Sequence, residues 1–417
     1  MPPNKESYIL LTMPAQETTI HTAGWVLPVT SPPLPDGAVV VQGKTIQAVG
    51  PRPTLIKEHK GRIVSHGNAV LFPGLVNAHT HLEFSALKGS IEKCDSFPQW
   101  LKRIAWRRIL LSQKRIVEVA KEGVEELVKF GTSLVADVAN LTDTGQLLDG
   151  KPLAGLIFHE LIGLNSEKAE EVFNRCAQTV AAYRPCPSVV HSISPHSPYT
   201  VSPALFQKIK AHCQKSALVT VVHLAESREE VELCLKGTGP LKDLLNKAGV
   251  WDKNWKAPKA SPVEYLDQLG FLDGQTLAVH LTQATPADVM ILAQRNVSIC
   301  LCVRSNEFTG VGRPPVRLFT DAGLNICLGT DSLASNWDLN ILNEMRAVKE
   351  IAPELSFEAI LSMGTINGAR ALGFDHRLGS LEPGKDAFIL ALPLGSDKDD
   401  PYQALFAADG PPKRVAP

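Results

Sequence analysis

Apolar runs of six to nine residues recur eight times after about residue 70, and a turn or a helical pattern follows each. The runs read VLFPGLVNA, SLVADVAN, LAGLIFHEL, VVHSISPH, ALVTVVHLA, TLAVHL, VSICLCV and NICLGTD. Near-continuous apolar strands suit a parallel sheet that is covered on both faces. Amphipathic segments such as 113–130, 166–183 and 286–295 separate them. Eight units of this kind predict an α/β fold, a (β/α)8 TIM-like barrel.

The two ends of the chain follow a different pattern. Before residue 70 there are short β-like runs, among them YILLTM at 8–13, WVLPV and AVVVQ, which turn residues separate. The chain closes with RLGSLEPGKDAFILALP, which is again turn-rich and β-like. We therefore expect a small composite β-sandwich domain from residues 1–70 and 375–417, and a catalytic barrel over residues 71–374.

Charge and composition exclude several kinds of partner. The net charge of −1 leaves no basic excess for binding nucleic acid or an anionic membrane. No apolar stretch reaches the roughly 18 residues of a membrane span, and the start of the chain is a poor secretory signal. The eight cysteines are too scattered for a disulfide scaffold. We expect a cytoplasmic enzyme with a small-molecule substrate and with surface for a homodimer.

Polar residues of one chemical kind end the predicted strands. In a barrel of this class the active site forms where the strands end. The first strand ends in His79 and His81, which share a face because they are two residues apart. The later strands end in a similar set: His196, His223, Glu226, His280 and Asp331.

These residue types fit a hydrolytic metal site. His79, His81, His223 and Asp331 would give one divalent ion nitrogen and oxygen ligands, which suits Zn²⁺, with Fe²⁺ as the alternative. Such an ion lowers the pKa of a bound water to about 7. Glu226 could then pass protons, and His280 could hold the nucleophile or stabilise developing charge.

Each residue also has an ordinary structural interpretation. A lone histidine at a strand end is more often a satisfied polar residue than a ligand. Glu83, just past the first pair, either lines the pocket or faces solvent. Cys300 and Cys302 lie inside an apolar strand, where core packing is a better explanation than a thiolate pair.

The chain resembles the metal-dependent amidohydrolase superfamily, in its aminohydrolase and chlorohydrolase branch. The similar segments are PGLVNAHTHLE, SPHSPYTVSPALF, VHLAES, RSN, LGTDSLASN and LGSLEPGKDA. The resemblance implies a barrel with a composite sandwich, and one metal on His79, His81, His223 and Asp331. It also implies proton handling by Glu226 and His280, steering of the nucleophile by Asp331 with His280, and substrate contact by His196.

Within this branch the chain is most similar to deaminases of adenine nucleosides such as aminodeoxyfutalosine, S-adenosylhomocysteine and methylthioadenosine. The first of these carries a benzoate carboxylate, so a guanidinium in the pocket would make sense. The segment SFPQWLKRIAWRRIL offers Arg103, Arg107 or Arg108 for that contact, with Arg107 as the chosen candidate. An ordinary basic helix face is the alternative.

Two departures from the family pattern bear on these expectations. Val303 precedes RSN where relatives commonly have proline, which predicts a small local change. The fourth strand, HSISPH, lacks the lysine or glutamate that bridges two metals in binuclear members, which favours one metal. Hydrolysis of a cyclic amide or a halogenated ring on the same site stays open. A non-enzymatic scaffold also stays open, although none of the expected ligands is missing.

Overall fold

The computed structural model describes residues 17–94, 96–140, 142–395 and 400–415. The β-like run at 8–13 therefore lies outside the described residues. The first part of the described chain is rich in β-strands: β1 (Thr18–Val26), β2 (Leu34–Gln42), β3 (Thr45–Pro51), β4 (Arg62–Ser65) and β5 (Ala69–Pro73).

Eight parallel strands follow, and they form two four-stranded sheets. The first sheet contains β6 (Leu75–Thr80), β7 (Thr132–Ala139), β8 (Ala154–Leu161) and β9 (Val189–Pro195). The second contains β10 (Thr220–Leu224), β11 (Thr276–His280), β12 (Ser298–Leu301) and β13 (Ile326–Leu328). These strands lie where the eight apolar runs predict them. The alternation of parallel strands and helices is that of a TIM-barrel-like α/β fold.

Backbone hydrogen bonds connect the edges of the two parallel sheets. The amide of His223 donates to the carbonyl of His196, just after β9, at 3.0 Å. On the other side, the amide of Asp331 donates to the carbonyl of His79 in β6, also at 3.0 Å. The polar residues that end these strands are therefore brought to one end of the structure.

The two ends of the described chain meet in one seven-stranded sheet. Strands β14 (Ile389–Pro393) and β15 (Lys413–Arg414) close the chain, and β14 pairs antiparallel with β5. The sheet order is β15-β14-β5-β1-β2-β3, with β4 paired to β1. This sheet combines strands from both predicted terminal segments, whereas the predicted two-layered sandwich stays a prediction.

The first predicted barrel strand is in fact two strands, separated by Gly74. Residues of β5 pair with β1 and β14, whereas β6 pairs with β7. A Cβ at Gly74 would lie 2.4 Å from both Phe388 Cδ1 and Ser133 Cβ, so only glycine fits where the seven-stranded sheet packs against the parallel strands. Hydrophobicity alone could not reveal this division, because both strands are fully buried.

Fifteen α-helices lie in the described ranges. They are α1 (Arg52–Glu58), α2 (Phe97–Ile109), α3 (Gln113–Lys129), α4 (Ala169–Ala181), α5 (Pro203–Ser216), α6 (Arg228–Lys236), α7 (Pro240–Lys247), α8 (Pro262–Gln268), α9 (Pro286–Gln294), α10 (Val303–Thr309), α11 (Val316–Asp321), α12 (Ile341–Ile351), α13 (Phe357–Met363), α14 (Ile366–Ala371) and α15 (Pro401–Ala407). Short 3₁₀ turns occupy Leu82–Leu87, Thr144–Leu148 and Ser166–Lys168.

The predicted amphipathic segments appear as α3, α4 with the 3₁₀ turn before it, and α9. Capping residues explain where α3 and α9 begin. The Ser112 hydroxyl accepts from the amide of Arg115, and Thr285 with Asp288 forms a reciprocal capping box. Among the helices in the described part of the chain, none has the length and apolar character that crossing a membrane requires.

Candidate active site

Three imidazoles and one carboxylate meet where the strands end. The Nε2 atoms of His81 and His223 are 3.3 Å apart. Asp331 Oδ1 lies 3.7 Å from His81 Nε2 and 3.9 Å from His79 Nε2. All four side chains are buried. The structure thus brings together His79, His81, His223 and Asp331, which come from strands far apart in sequence.

The chemistry of this cluster fits a divalent metal. Neither ring nitrogen of His79 has a hydrogen-bond partner among the described residues, although both are buried. His223 Nδ1 donates to the carbonyl of His196 at 2.9 Å, which leaves its Nε2 as the bare nitrogen facing the cluster. Nitrogen and oxygen atoms of His79, His81 and Asp331 lie within 4.8 Å of one another, close enough to share an ion.

Burial sets the protonation states that a metal ligand needs. It lowers the pKa of His79 well below the ordinary value and also lowers the pKa of His223, so both imidazoles are neutral. Burial alone would raise the pKa of Asp331, but the neighbouring His81 and His280 and a hydrogen bond from Ser305 bring it below its usual value. The carboxylate is therefore ionised.

Hydrogen bonds fix the orientation of Asp331. The hydroxyls of Ser305 and Ser335 donate to Oδ2 at 2.6 and 3.1 Å, and the amide of Ser332 donates to Oδ1 at 2.7 Å. Gly329 allows this strand end to approach β6, because a Cβ there would lie 2.7 Å from the Cβ of His79.

Three strand ends adopt a left-handed backbone. Ala225 has φ 48°, His280 has φ 74° and Asp331 has φ 55°. Non-glycine residues adopt this conformation at a cost of about 1–3 kcal/mol each, and such residues cluster at functional sites. The backbone here is held in a conformation that aims side chains into one site at the expense of stability.

Glu226 and His280 form the second polar pair. Glu226 Oε1 lies 3.6 Å from His280 Nε2. His280 Nδ1 donates to the Asn306 amide oxygen at 2.8 Å, so its Nε2 is free to accept. Burial lowers the pKa of His280 to about 4. Burial, and then the negative charge of Asp331, raises the pKa of Glu226 well above its usual value, which favours the protonated form of this carboxyl group.

A cavity of about 280 Å³ opens above these residues. Its floor, as we use the term, is the set of polar side chains at the strand ends: His81, His223, Glu226, His280 and Asp331. Its roof is the apolar set from α2 and α7: Phe97, Trp100, Leu101, Ile104, Leu241, Leu244 and Leu245. The cavity thus joins a titratable floor to an apolar roof, an arrangement common in small-molecule sites.

The three predicted substrate contacts are placed differently from one another. His196 lines the cavity, and its Nδ1 is 2.7 Å from the Thr200 hydroxyl and 2.8 Å from that of Ser197. Glu83 is buried but is not among the residues that line the cavity. Its carboxylate accepts from the amide of Thr142 at 2.6 Å and so holds the loop after β7.

The arginine that reaches the cavity is Arg108, one residue after the predicted Arg107. Arg107 is exposed and lines a separate surface depression with Arg103 and Trp106. Arg108 lines the cavity, and its guanidinium lies 5.5 Å from the centre of the Phe84 ring. The helical period determines which arginine of α2 faces the cavity. Ile104 and Arg108 are four residues apart, so they share the inward face of the helix.

The sequence analysis did not single out four polar residues around the site: Ser305, Asn306, Glu160 and Asn140. Ser305 and Asn306, which hold Asp331 and His280, belong to the RSN motif, so that motif was the signal. Glu160 ends β8 and lines the cavity, where Asn140 donates to it at 2.9 Å. The rule that located the histidines, inspection of each strand end, would also have found Glu160.

Val303 occupies the first position of helix α10, directly after Cys302. Proline is favoured at that position because its fixed φ suits a helix start and its missing N–H is not needed there. Valine keeps the helix, and the Arg304–Asn306 segment is held in place. The small local change expected from the missing proline stays a prediction.

Comparisons with known proteins agree with this geometry. A model of the amidohydrolase family matches residues 70–416. The aminodeoxyfutalosine deaminase of Deinococcus radiodurans is 30% identical over 355 residues, which cover 81% of each chain. The 5-methylthioadenosine/S-adenosylhomocysteine deaminase of Teredinibacter turnerae is 27% identical over 89% of this chain and 83% of its own.

A solved structure is also similar. The adenosine deaminase of Xanthomonas campestris with bound zinc superposes with a TM-score of 0.79 and 27% identity, over 95% of this chain and 90% of that one. The family match covers both the parallel strands and the polar residues at their ends. The chain therefore belongs to the amidohydrolase family.

Proposed function

We propose that this protein is a metal-dependent deaminase of a 6-aminopurine nucleoside, of the aminodeoxyfutalosine or adenosine-derivative type. Water replaces the amino group, so the products are the 6-oxopurine nucleoside and ammonia. The membership of the chain in the amidohydrolase family and the names of its relatives support this reaction class. The observation that carries the proposal is the pairing of a metal-competent cluster with a protonatable Glu226 under one cavity.

The ion we propose is one Zn²⁺, with Fe²⁺ as the alternative, on His79, His81, His223 and Asp331. Mixed imidazole and carboxylate ligands suit either metal. The zinc-bound adenosine deaminase of Xanthomonas campestris favours the first. A divalent ion supplies a nucleophile from water near neutral pH by acting as a Lewis acid.

The residues of the chain have separate tasks in this scheme. Neutral His280, held by Asn306, accepts a hydrogen bond through Nε2 and so orients the attacking water, together with Asp331. Glu226 takes the proton from that water and gives it to the ring nitrogen beside the reacting carbon. The carbon becomes tetrahedral as its new C–O bond forms. The new hydroxyl group then gives up its proton, which Glu226 passes to the amino group, the C–N bond breaks, and ammonia leaves the 6-oxopurine.

The substrate itself is positioned by other side chains. The apolar roof from α2 and α7 covers the ring and excludes water. His196 contacts the base, and Arg108, instead of Arg107, is the cation available to a distal carboxylate.

Ammonia release tests the proposal directly. We expect adenine nucleosides to release ammonia with the metal-loaded protein, and a chelated sample to be inactive until the metal is restored. If the metal-loaded protein released no ammonia from any of a panel of adenine nucleosides, the proposal would be wrong. Release of halide or ring opening from a heterocycle would favour the alternative hydrolase, and a protein with only traces of transition metal would favour a scaffold.

The organisation of the molecule extends the proposal. We propose that the eight parallel strands close into one barrel, which the hydrogen bonds between β9 and β10 and between β6 and β13 support. The division into 1–70 with 375–417 as a composite sandwich and 71–374 as the barrel stays a prediction. The pairing of β5 favours Gly74 as the point where the chain leaves the sheet. A cytoplasmic homodimer is also a prediction.

A further inference from the structure

We infer that Glu160 is a specificity-determining residue, whose carboxylate accepts hydrogen bonds from the 2′- and 3′-hydroxyls of the substrate's ribose. Glu160 has this role only if the proposed deamination of nucleosides holds. The inference adds a residue that the reaction scheme leaves unused, and it names the part of the substrate that this residue recognises.

Glu160 lies at the cavity and has one carboxylate oxygen without a hydrogen-bond partner among the described residues. Its side chain is 5% exposed and lies among the residues that line the cavity. Oε2 accepts from the Asn140 amide at 2.9 Å, which fixes the carboxylate. Oε1 is buried and has no hydrogen-bond partner within the described ranges of the chain. A buried acceptor without a donor is unfavourable, so a ligand that brings a donor to this point gains affinity.

The location of Glu160 is away from the reacting centre. Oε1 is 3.6 Å from Nδ1 of His223, whereas Nε2 of the same ring faces His81. The imidazole ring of His223 therefore lies between Glu160 and His81, with its Nδ1 side toward Glu160 and its Nε2 side toward the metal-competent cluster. A purine whose C6 reacts over the floor would place its sugar at such a distance, on the opposite side of the ring system.

The donors of the substrate decide what Glu160 can bind. The unsubstituted ring nitrogens of an adenine nucleoside are acceptors, and its only base donor of this strength is the amino group that leaves. The remaining donors are the sugar hydroxyls. Two adjacent hydroxyls match a carboxylate, because each can donate to a different oxygen or share one.

A second cation is the main alternative for this position. Atoms of Glu160, His196 and His223 lie within 4.8 Å of one another. However, His223 Nδ1 already donates to the carbonyl of His196 at 2.9 Å, and a protonated nitrogen cannot bind an ion. His196 Nδ1 is likewise engaged by hydroxyl groups, so only His196 Nε2 and a Glu160 oxygen stay open to an ion, fewer than the three or four protein ligands of a typical site. The hydrogen-bonding role is the one these contacts leave open.

The test compares four nucleosides: adenosine and its 2′-deoxy, 3′-deoxy and 5′-deoxy forms. With the wild-type protein, we expect kcat/KM to fall about tenfold or more when either the 2′- or the 3′-hydroxyl is missing, as for a lost hydrogen bond to a charged group. Most of the change should be in KM. The 5′-deoxy form should lose less, because its vicinal pair is intact.

Glu160→Gln should reduce the preference for the ribose forms to about threefold or less, since the amide offers a weaker and single acceptor. Glu171→Gln, on the exposed face of α4, is the matched control and should keep the wild-type ratios. Calorimetric binding of inosine and 2′-deoxyinosine gives a second measurement, which does not depend on turnover. Thermal unfolding shows whether each variant is folded.

The possible results distinguish the proposed deaminase function from the proposed role of Glu160. Ammonia from all four nucleosides at equal kcat/KM by the wild-type protein would overturn the role of Glu160 and leave the deaminase intact. The same holds if Glu160→Gln keeps the full ribose preference in turnover or in binding. Ammonia from none of them would remove the deaminase and the role of Glu160 together.

Discussion

The floor and the roof of the cavity differ in chemistry and in origin. Floor residues are polar, lie at the ends of strands and are fixed by hydrogen bonds such as those of Ser305 and Asn306. Roof residues are apolar and come from α2, which lies between β6 and β7 in the chain, and from α7, which lies between β10 and β11. The floor is suited to bond breaking, and the roof to the choice of substrate. The two sets of residues can therefore change independently, which is how one fold can support reactions on many substrates.

The largest effect is expected from a floor residue that would hold the metal. Asp331→Ala should reduce activity to the background rate and abolish metal binding. The three neutral imidazoles of the cluster would then lack the carboxylate that supplies its negative charge. Metal per chain by mass spectrometry and ammonia release measure the two effects on one sample. His212→Ala, outside the cavity, is the control. Full metal content in Asp331→Ala would contradict its place among the ligands.

A second floor residue separates chemistry from metal binding. Glu226→Gln should lower kcat by about 10²–10⁴-fold, the usual contribution of a positioned acid–base group, while the metal stays bound. Glu229→Gln, nearby at the start of α6, should behave like the wild type. Normal turnover in Glu226→Gln would remove the proton-transfer role.

A roof residue should affect binding and not chemistry. Leu101→Ala should raise KM by about tenfold, since a ligand loses apolar contact of one leucine, with kcat little changed. Ile109→Ala tests the exposed side of the same helix, where the side chain is 81% exposed, and should leave both constants unchanged. A fall in kcat as large as that of Glu226→Gln would erase the distinction between roof and floor.

The last effect concerns the stability of the fold and not activity. Asp137 accepts from the amide of Leu82, directly after His81, at 2.8 Å. Burial raises its pKa to about 7, against about 3.9 in an unfolded chain. Between these values the folded chain holds a proton that the unfolded chain has lost. Stability should therefore fall as pH rises through this window, by up to about 1.4 kcal/mol per pH unit from this group.

Asp137→Asn, which resembles the protonated form, should remove this part of the pH dependence. Denaturant unfolding at pH 5 and pH 7 measures it, and Asp321→Asn on the exposed end of α11 is the control. An unchanged slope in Asp137→Asn would show that the carboxyl group does not carry the proton.

The sequence predicted the positions of the floor residues better than those of two other polar residues, Arg107 and Glu83. Asp331 and His223 could be found because a residue at the end of a parallel strand is placed by that strand alone. Arg107 and Glu83 could not be placed in this way. Their direction depends on how α2 and the loop after β7 pack, and one step along a helix turns a side chain by about 100°. The division of the first strand was also hidden, since both halves are buried.

The position of Gly74 has a consequence for which parts of the chain can tolerate deletions and insertions. It joins a sheet made from both chain ends to the strand that carries His79, and it leaves no space even for a methyl group. Losing β1 or β14 would remove a partner of β5 and so weaken the attachment of β6, which begins four residues before His79. We therefore expect deletion of β1 or β14 to disturb the strand that carries His79. Insertions and deletions should be tolerated in the loops far from this junction.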